Sequence, residues 1–507
     1  MRRQTLLNAL SGPVQILVNI TLVLVTIPLF IDTLGLSLYG VYALVSVVGS
    51  LGVFTNFGFN TSLIKYLAEQ KDRVQSNYDI VVTFAFLAGS SFLAGVLAVM
   101  FADFILLHVL AIEAGLVDAS VRWFFVASVG TAVFQVLAQV PGAVLDAQQK
   151  VYVTNGVTLA AGSAGRIAII VSLLMDPDLA TIGWITFVSA AVGMLSLAGF
   201  ALKTWGHITC PDLKSQFVPV ARKHFMYARS IYATAIVGTF YEPLAKILMS
   251  HFVGLAEVGF FDIALRIKTI IWNVLERLLY PILPMLASKS DFQDARGLVV
   301  EAQRKLLLVV APAVVAVPFL CVPVIAVWLG DFLEPVVISV ASIVFCYLLA
   351  LLFVPVYQFL TIKGHPEKTL ILQSVNAAVN VVLFAGLVPL FGYYGALAAF
   401  CLAVLASTAL CFRYQRSILG GQILDSENLK VRMLVLMGCL GLLNGIVSVV
   451  VEGNWMRIIT LVLVNAAATT MLFRQLKLIT AGDVDRYVGR QSRVGIMLER
   501  ILVRDTR

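Results

Sequence analysis

The sequence predicts an all-α polytopic membrane protein with about fourteen transmembrane helices: two pseudo-symmetric six-helix bundles and two further helices at the C-terminal end. Three observations carry this. Hydrophobic residues make up 60% of the 507 residues and charged residues only 13%, at a mean hydropathy of +0.95. A soluble domain carries about 25% charged residues, so this chain lacks the polar groups to cover a globule. The apolar residues fall in runs of about 20, enough to cross a ~30 Å hydrocarbon core. The basic residues outside those runs fall almost entirely on one side of them. Composition therefore excludes a soluble enzyme, a nucleic-acid-binding domain and a disordered scaffold, and the net charge of +8 belongs to loops, not to a nucleic-acid partner.

Taken in order, the first run, 9–31, follows Met1-Arg2-Arg3-Gln4 and is long enough to span, unlike a cleaved signal. A Gly35 turn leads into 39–61. Polar breaks then separate 79–105, 121–145, 152–174 and 180–202. The basic stretch from Lys203 to Lys223 precedes 225–250, and Gly254 precedes 257–286. The runs 305–329, 335–361, 368–391 and 394–415 complete the second group. The last two are 431–451 and 456–475, and the alternating charged and apolar tail from Leu476 to Arg507 suits the membrane surface.

With the N-terminus in the cytoplasm, Lys65, Lys71, Arg73, Lys150, Lys203, Lys214, Lys289, Lys363, Arg413 and Lys430 all fall in inner gaps. Outer gaps hold only Arg122 and Arg457 and are otherwise acidic, with Glu113, Asp118, Asp176, Asp178, Asp331, Glu334 and Glu452. This is the positive-inside pattern, and it predicts a multi-pass membrane protein with both termini cytoplasmic.

An internal repeat supports the grouping. Thr33–Tyr42 reads TLGLSLYGVY and Phe252–Phe261 reads FVGLAEVGFF. Gly35 aligns with Gly254, Leu36 with Leu255, Gly40 with Gly259 and Tyr42 with Phe261. The even number of intervening spans gives both halves one orientation, related by an axis along the membrane normal. The expected divisions are a bundle over 1–220, a second over 221–418, and two extra helices with a tail over 419–507.

The segment from Leu34 to Glu69, with Gly-Val-Tyr-Ala-Leu and Asn56-Phe57-Gly58-Phe59, resembles the start of the polysaccharide transporter family, the Wzx-type oligosaccharide flippases of the MOP superfamily. Gly254–Lys289 and Asn376–Ala399, containing Gly392-Tyr393-Tyr394-Gly395-Ala396, are similar to it too. The resemblance covers about 480 residues in span count and spacing. It implies transport of an undecaprenyl-pyrophosphate type lipid-linked oligosaccharide for surface polysaccharide biosynthesis. It also implies contact with membrane lipids, with a polysaccharide polymerase and glycosyltransferases as candidate partners.

Charged residues inside spans are costly and mark function. The eighth span carries Asp262, Arg266, Thr269, Asn273, Arg277 and Tyr280 at helical spacing. The seventh carries Tyr232, Thr239, Glu242 and Lys246 on one face, and Pro243 is a candidate kink. Arg166 lies in the fifth span. The first span aligns Asn8, Gln15, Asn19 and Thr26, and the eleventh Gln373, Asn376 and Asn380. Basic residues in spans (Arg166, Arg229, Lys246, Arg266, Lys268, Arg277) outnumber acids (Glu242, Asp262, Glu276). A cationic cavity suits a pyrophosphate, because arginine matches phosphate oxygens bidentately. The candidate substrate-binding residues are Arg166, Arg266, Arg277, Lys246, Tyr232 and Asn273, with Tyr241 and Tyr280 as further sugar contacts; Glu242 and Asp262 are candidates for carrying a coupling ion. The structural alternative pairs Asp262 with Arg266 and Glu242 with Lys246 as i,i+4 ion pairs, with Asn and Gln joining helices.

No HExxH, GxSxG, P-loop or paired-carboxylate loop is present, the five histidines are scattered, and the six cysteines lack metal-ligand spacing and suit core packing. The expectation is a transporter, not an enzyme, without metal or cofactor. The alternatives are a lipid II flippase and a MATE-like ion-coupled exporter of small molecules.

Overall fold

A computed structural model describes residues 2–50, 52–70, 72–279, 286, 292–363, 365–420 and 427–478. Tyr280, the stretch ending at Lys289 and the tail beyond Leu478 lie outside the described residues. All regular structure among the described residues is helical, and every expected span coincides with helix over most of its length. The elements are α1 (Arg2–Val45), α2 (Val47–Ser50), α3 (Gly52–Asn56), α4 (Phe59–Glu69), α5 (Arg73–Met100), α6 (Ala102–Phe104), α7 (Ala119–Ala147), α8 (Val151–Met175), α9 (Leu179–Trp205), α10 (Leu213–Phe252) and α11 (Leu255–Glu276). They continue as α12 (Phe292–Leu329), α13 (Glu334–Leu351), α14 (Val354–Ile362), α15 (Pro366–Tyr414), α16 (Glu427–Val450) and α17 (Asn454–Gln475).

Three departures from the simple span map have local causes. The first two spans run together through α1, and the turn between them is a kink at Gly35 (φ 80, ψ 166). The eleventh and twelfth run together through α15 with a similar kink at Gly392 (φ 53, ψ −129). Only glycine takes such backbone angles readily. The second span, expected as one helix, is broken into the end of α1, α2, α3 and α4, with positive φ at Phe57 and Gly58. By contrast, α10 passes through Pro243 as a single helix.

The chain forms two compact units. The first holds residues 1–262 and 380–399, the second 263–379 and 400–507. The seventh helix and the start of the eighth thus group with the first six, whereas the sequence suggested a division at 220/221. Buried polar bonds from α10 to α4, α5 and the start of α11 account for this grouping.

In the first unit, α7 packs on α9, α5 and α4, and α8 on α1 and α9. Small residues let α7 and α9 approach. A Cβ on Gly130 would lie 2.6 Å from the Phe187 ring, and one on Gly183 3.0 Å from the Phe124 backbone. Such contacts drive helix association in lipid, where burial of apolar area supplies little. Phe59, Leu63, Leu87, Val140, Val144 and Leu197 form the core. Much of the remaining apolar surface faces outward, as at Phe92, Leu93, Leu174 and Leu195, which suits lipid as the solvent.

In the second unit, α12 is central, packing on α13, α14, α16 and α17. Gln303 and Gln415 bond each other's side-chain amides in both directions, at 3.0 and 2.7 Å, both fully buried. Asn444 and Asn465 do the same between α16 and α17. Cys321, Cys346, Cys401 and Cys411 are buried among apolar side chains.

Candidate functional site

The repeat turns meet directly in the first unit. Their aligned glycines Gly35 and Gly254 both have positive φ. Gly40 of the first repeat packs on the backbone of Leu255 in the second, and Gly259 packs on Leu36. Leu36 and Leu255 are themselves aligned partners, so each repeat offers its glycine to the other's leucine, the reciprocal contact of a two-fold relation. At Gly40 the approach is so close that an added Cβ would sit 1.9 Å from the Leu255 carbonyl oxygen.

Beside this contact lies a buried charge cluster. Asp262 on α11 is 2% exposed. Its Oδ1 lies 2.5 Å from Lys246 Nζ on α10, and its Oδ2 accepts a 2.7 Å hydrogen bond from the Tyr39 hydroxyl on α1. Both carboxylate oxygens are engaged, as a charge removed from water requires. Tyr39 is held edge-on against Phe30 at 5.4 Å. The same end of α10 is pinned by Ser250, whose hydroxyl donates to the Leu110 carbonyl at 2.5 Å.

Of the residues singled out from sequence, the structure thus brings Lys246 and Asp262 together, across two helices. Glu242 lies half-buried one turn before Lys246 on α10. Tyr232, also half-buried, packs its ring 5.3 Å from Phe57, where Gly58 breaks the second span. Arg166 on α8 donates to the Asn19 carbonyl of α1 at 3.1 Å. The polar face of α1 meets α8 elsewhere too: Asn8 bonds the Gln149 carbonyl and the Tyr152 amide, and Asn155 donates to Ser11. These asparagines join helices.

In the second unit Arg266 is half-buried on α11, Asn273 is exposed, and Arg277 opens a 3₁₀ turn, Arg277–Leu279. Lys268 turns away from that polar face and is 7% exposed, with its Nζ 4.5 Å over the Tyr347 ring. That contact is a cation–π interaction.

Sequence reasoning missed two features. Tyr39 carries a signal: its repeat counterpart is the apolar Val258, so the tyrosine breaks the repeat where Asp262 needs a donor. The second is a cluster at the basic end of the first unit. Asp79 at the head of the third span is 0% exposed and meets Lys223 and His224 of α10. An acid at the first position of an apolar run was the available signal.

The family model described as polysaccharide biosynthesis protein matches residues 34–338. No curated protein matches. Among solved structures, the chain is similar to the lipid II flippase MurJ in an inward closed conformation, at 14% identity and a TM-score of 0.68, covering 93% of this chain and 100% of that one. It is similar to an inward-facing multidrug resistance MATE transporter of the MOP superfamily, at 14% identity and TM-score 0.60, covering 79% and 94%. The Vibrio cholerae MATE transporter VcmN in its bent form gives 12% identity and TM-score 0.54, covering 83% and 98%. These likenesses establish the fold. With the family match over more than half its length, the chain belongs to the polysaccharide biosynthesis protein family.

Proposed function

We propose that this protein flips an undecaprenyl-pyrophosphate type lipid-linked oligosaccharide across the bacterial inner membrane by alternating access of two six-helix bundles, with both termini in the cytoplasm. The observation that carries this reading is the chemistry of the cations inside the spans of a chain from this family. Of the six, Lys246 is paired with Asp262 and Lys268 lies on Tyr347. Arg166 donates to the Asn19 carbonyl, and it, Arg229, Arg266 and Arg277 are all arginines. Guanidinium forks suit a pyrophosphate that must leave water while its lipid stays in the bilayer. An exporter of cationic drugs would want the opposite sign.

Arg166, Arg266 and Arg277 are the proposed headgroup contacts, with Lys246, Tyr232 and Asn273 as further contacts. Glu242 and Asp262 are proposed carriers of a coupling ion. The chain carries out no covalent step; a polymerase and glycosyltransferases act before and after it. The test is deletion of the gene with scoring of lipid-linked oligosaccharide by leaflet. The expected outcome is accumulation in the inner leaflet and loss of surface glycan. Accumulation of lipid II instead would favour the lipid II flippase reading, and neither would point to the small-molecule exporter.

A further inference from the structure

At the basic end of the first unit, four side chains from three helices form a buried relay. His224 of α10 is 0% exposed. Its Nε2 lies 3.1 Å from Asp79 Oδ1 on α5, and its Nδ1 lies 2.6 Å from Ser62 Oγ on α4. The Lys223 ammonium donates to both Asp79 oxygens, at 2.6 and 2.9 Å. Phe59 stacks on the imidazole at 5.6 Å, and Tyr66 meets it edge-on at 5.2 Å. The remaining charged or titratable groups facing the cluster are Lys65 on α4 and Tyr227 on α10, with the Lys65 Nζ 4.1 Å over the Tyr227 ring.

The donors and acceptors can be counted in two ways. Ser62 Oγ also lies 2.9 Å from the Phe59 carbonyl, to which it can donate. With a neutral imidazole, the Ser62 hydroxyl donates to Nδ1, and Nε2–H donates to Asp79. With an imidazolium, Nδ1–H donates to Ser62 Oγ, the hydroxyl turns to the Phe59 carbonyl, and Nε2–H still donates to Asp79. One proton is gained and one hydroxyl rotates; every buried polar atom stays bonded and no heavy atom moves. An imidazole held only as a packing group needs one of these states. This geometry satisfies both, and imidazole is the side chain whose ordinary titration falls near neutral pH.

We propose that His224 is a proton-binding site and a coupling site of the transport cycle, distinct from the carboxylates Glu242 and Asp262. The coupling part rests on the transport reading above; the proton site does not. Unloaded, the cluster is neutral, with Lys223 and Asp79 balanced. Loaded, it carries one positive charge, and Asp79 is shared between two cations. Asp79 links α10 to α5 beside the apolar packing of Tyr78 and Val82 on Val220, so loading alters one of the contacts that hold α10 in place. Lys223, whose side chain is 31% exposed, connects the buried carboxylate to the aqueous side.

The test uses the full chain in detergent micelles with ¹⁵N-labelled histidine. The ring signal absent from His224→Gln identifies His224 among the five histidines. That ring should pass from one protonated nitrogen to two on acidification over the pH range in which the chain stays folded in the micelle. Asp79→Asn should weaken proton binding about tenfold or more, because a carboxylate favours the imidazolium. Ser62→Ala, the milder variant, should also move the midpoint. A ring fixed in one state across that range, or a midpoint unmoved by either change, overturns the proton site. The second arm measures surface glycan in cells with the transmembrane pH gradient collapsed. Wild-type export should fall, and His224→Gln should give reduced export with a weaker response to the gradient. Wild-type export indifferent to the gradient overturns the coupling while leaving the transporter reading intact. Absence of any glycan phenotype on gene deletion overturns the transporter reading and leaves the ring titration standing.

Discussion

Gly40 and Leu255 touch backbone to backbone: a Cβ on Gly40 would lie 1.9 Å from the Leu255 carbonyl oxygen. Backbone cannot yield as a side chain can, so the smallest substitution separates the two repeat turns.

The reciprocal contact is looser, and this sets an order of severity. A Cβ on Gly259 would meet the Leu36 carbonyl at 3.2 Å and side-chain atoms of Leu36 and Tyr39 at 3.3 and 3.4 Å. Gly40→Ala should destabilise the outer contact by about 1–3 kcal/mol, the usual range for overpacking. Gly259→Ala should be tolerated, and Gly259→Leu should resemble Gly40→Ala. Outside labelling of a cysteine at Thr239 checks this. It should rise in Gly40→Ala and stay at the wild-type level in Gly259→Ala; equal effects would contradict the difference in packing at the two glycines.

The Lys246–Asp262 pair predicts strong non-additivity. Lys246→Met or Asp262→Leu alone strands a buried partner, at a cost of about 3–5 kcal/mol. The double change to apolar residues, Lys246→Met with Asp262→Leu, should recover much of that. Thermal melting of the four proteins in detergent measures the cycle. Additive losses would mean that the pair does not act as a unit.

Topology is read by cysteine labelling with an impermeant reagent. Cysteines at Ser37, Asp176 and Glu334 should react from outside, and those at Glu69, Lys214 and Lys430 should not. Asp176 is chosen over Asp178 because Asp178 caps α9 through the Thr181 amide and accepts from the Ser120 hydroxyl. Reversal at any one site breaks the fourteen-span map.

Arg266 separates recognition from packing. Arg266→Ala should lower glycan export at least tenfold with membrane abundance unchanged. Arg266→Lys should restore it in part, since a point charge replaces a fork. Loss of the protein from the membrane in the Ala variant would assign the side chain to structure.

Helix positions were legible because a span needs length and apolarity, and both are local properties. The Gly35 turn could be read from the repeat itself, whereas the packing of Gly40 on Leu255 came only with the fold. Fragmentation of the second span was less visible: Gly49, Gly52 and Gly58 weaken it one by one, but Phe57 at φ 50 is set by tertiary packing. For the charged residues, helical spacing pointed to i,i+4 partners, and an aspartate at 262 was matched with 246 and 39 only by folding. His224 looked like one of five scattered histidines because Ser62 and Asp79 are far from it in sequence.

One helix, α10, carries both buried ion clusters: His224 and Lys223 at one end, Lys246 at the other. From residue 224 to 246 the helix rises about 33 Å, the thickness of the hydrocarbon core. On the proposed span map the two clusters would sit at opposite faces of the membrane's insulating layer. Charge changing hands between them would cross nearly the whole transmembrane voltage, worth about 2.3 kcal/mol per elementary charge at 100 mV. On the proposed coupling, export would respond to the electrical half of the proton-motive force as well as to its chemical half.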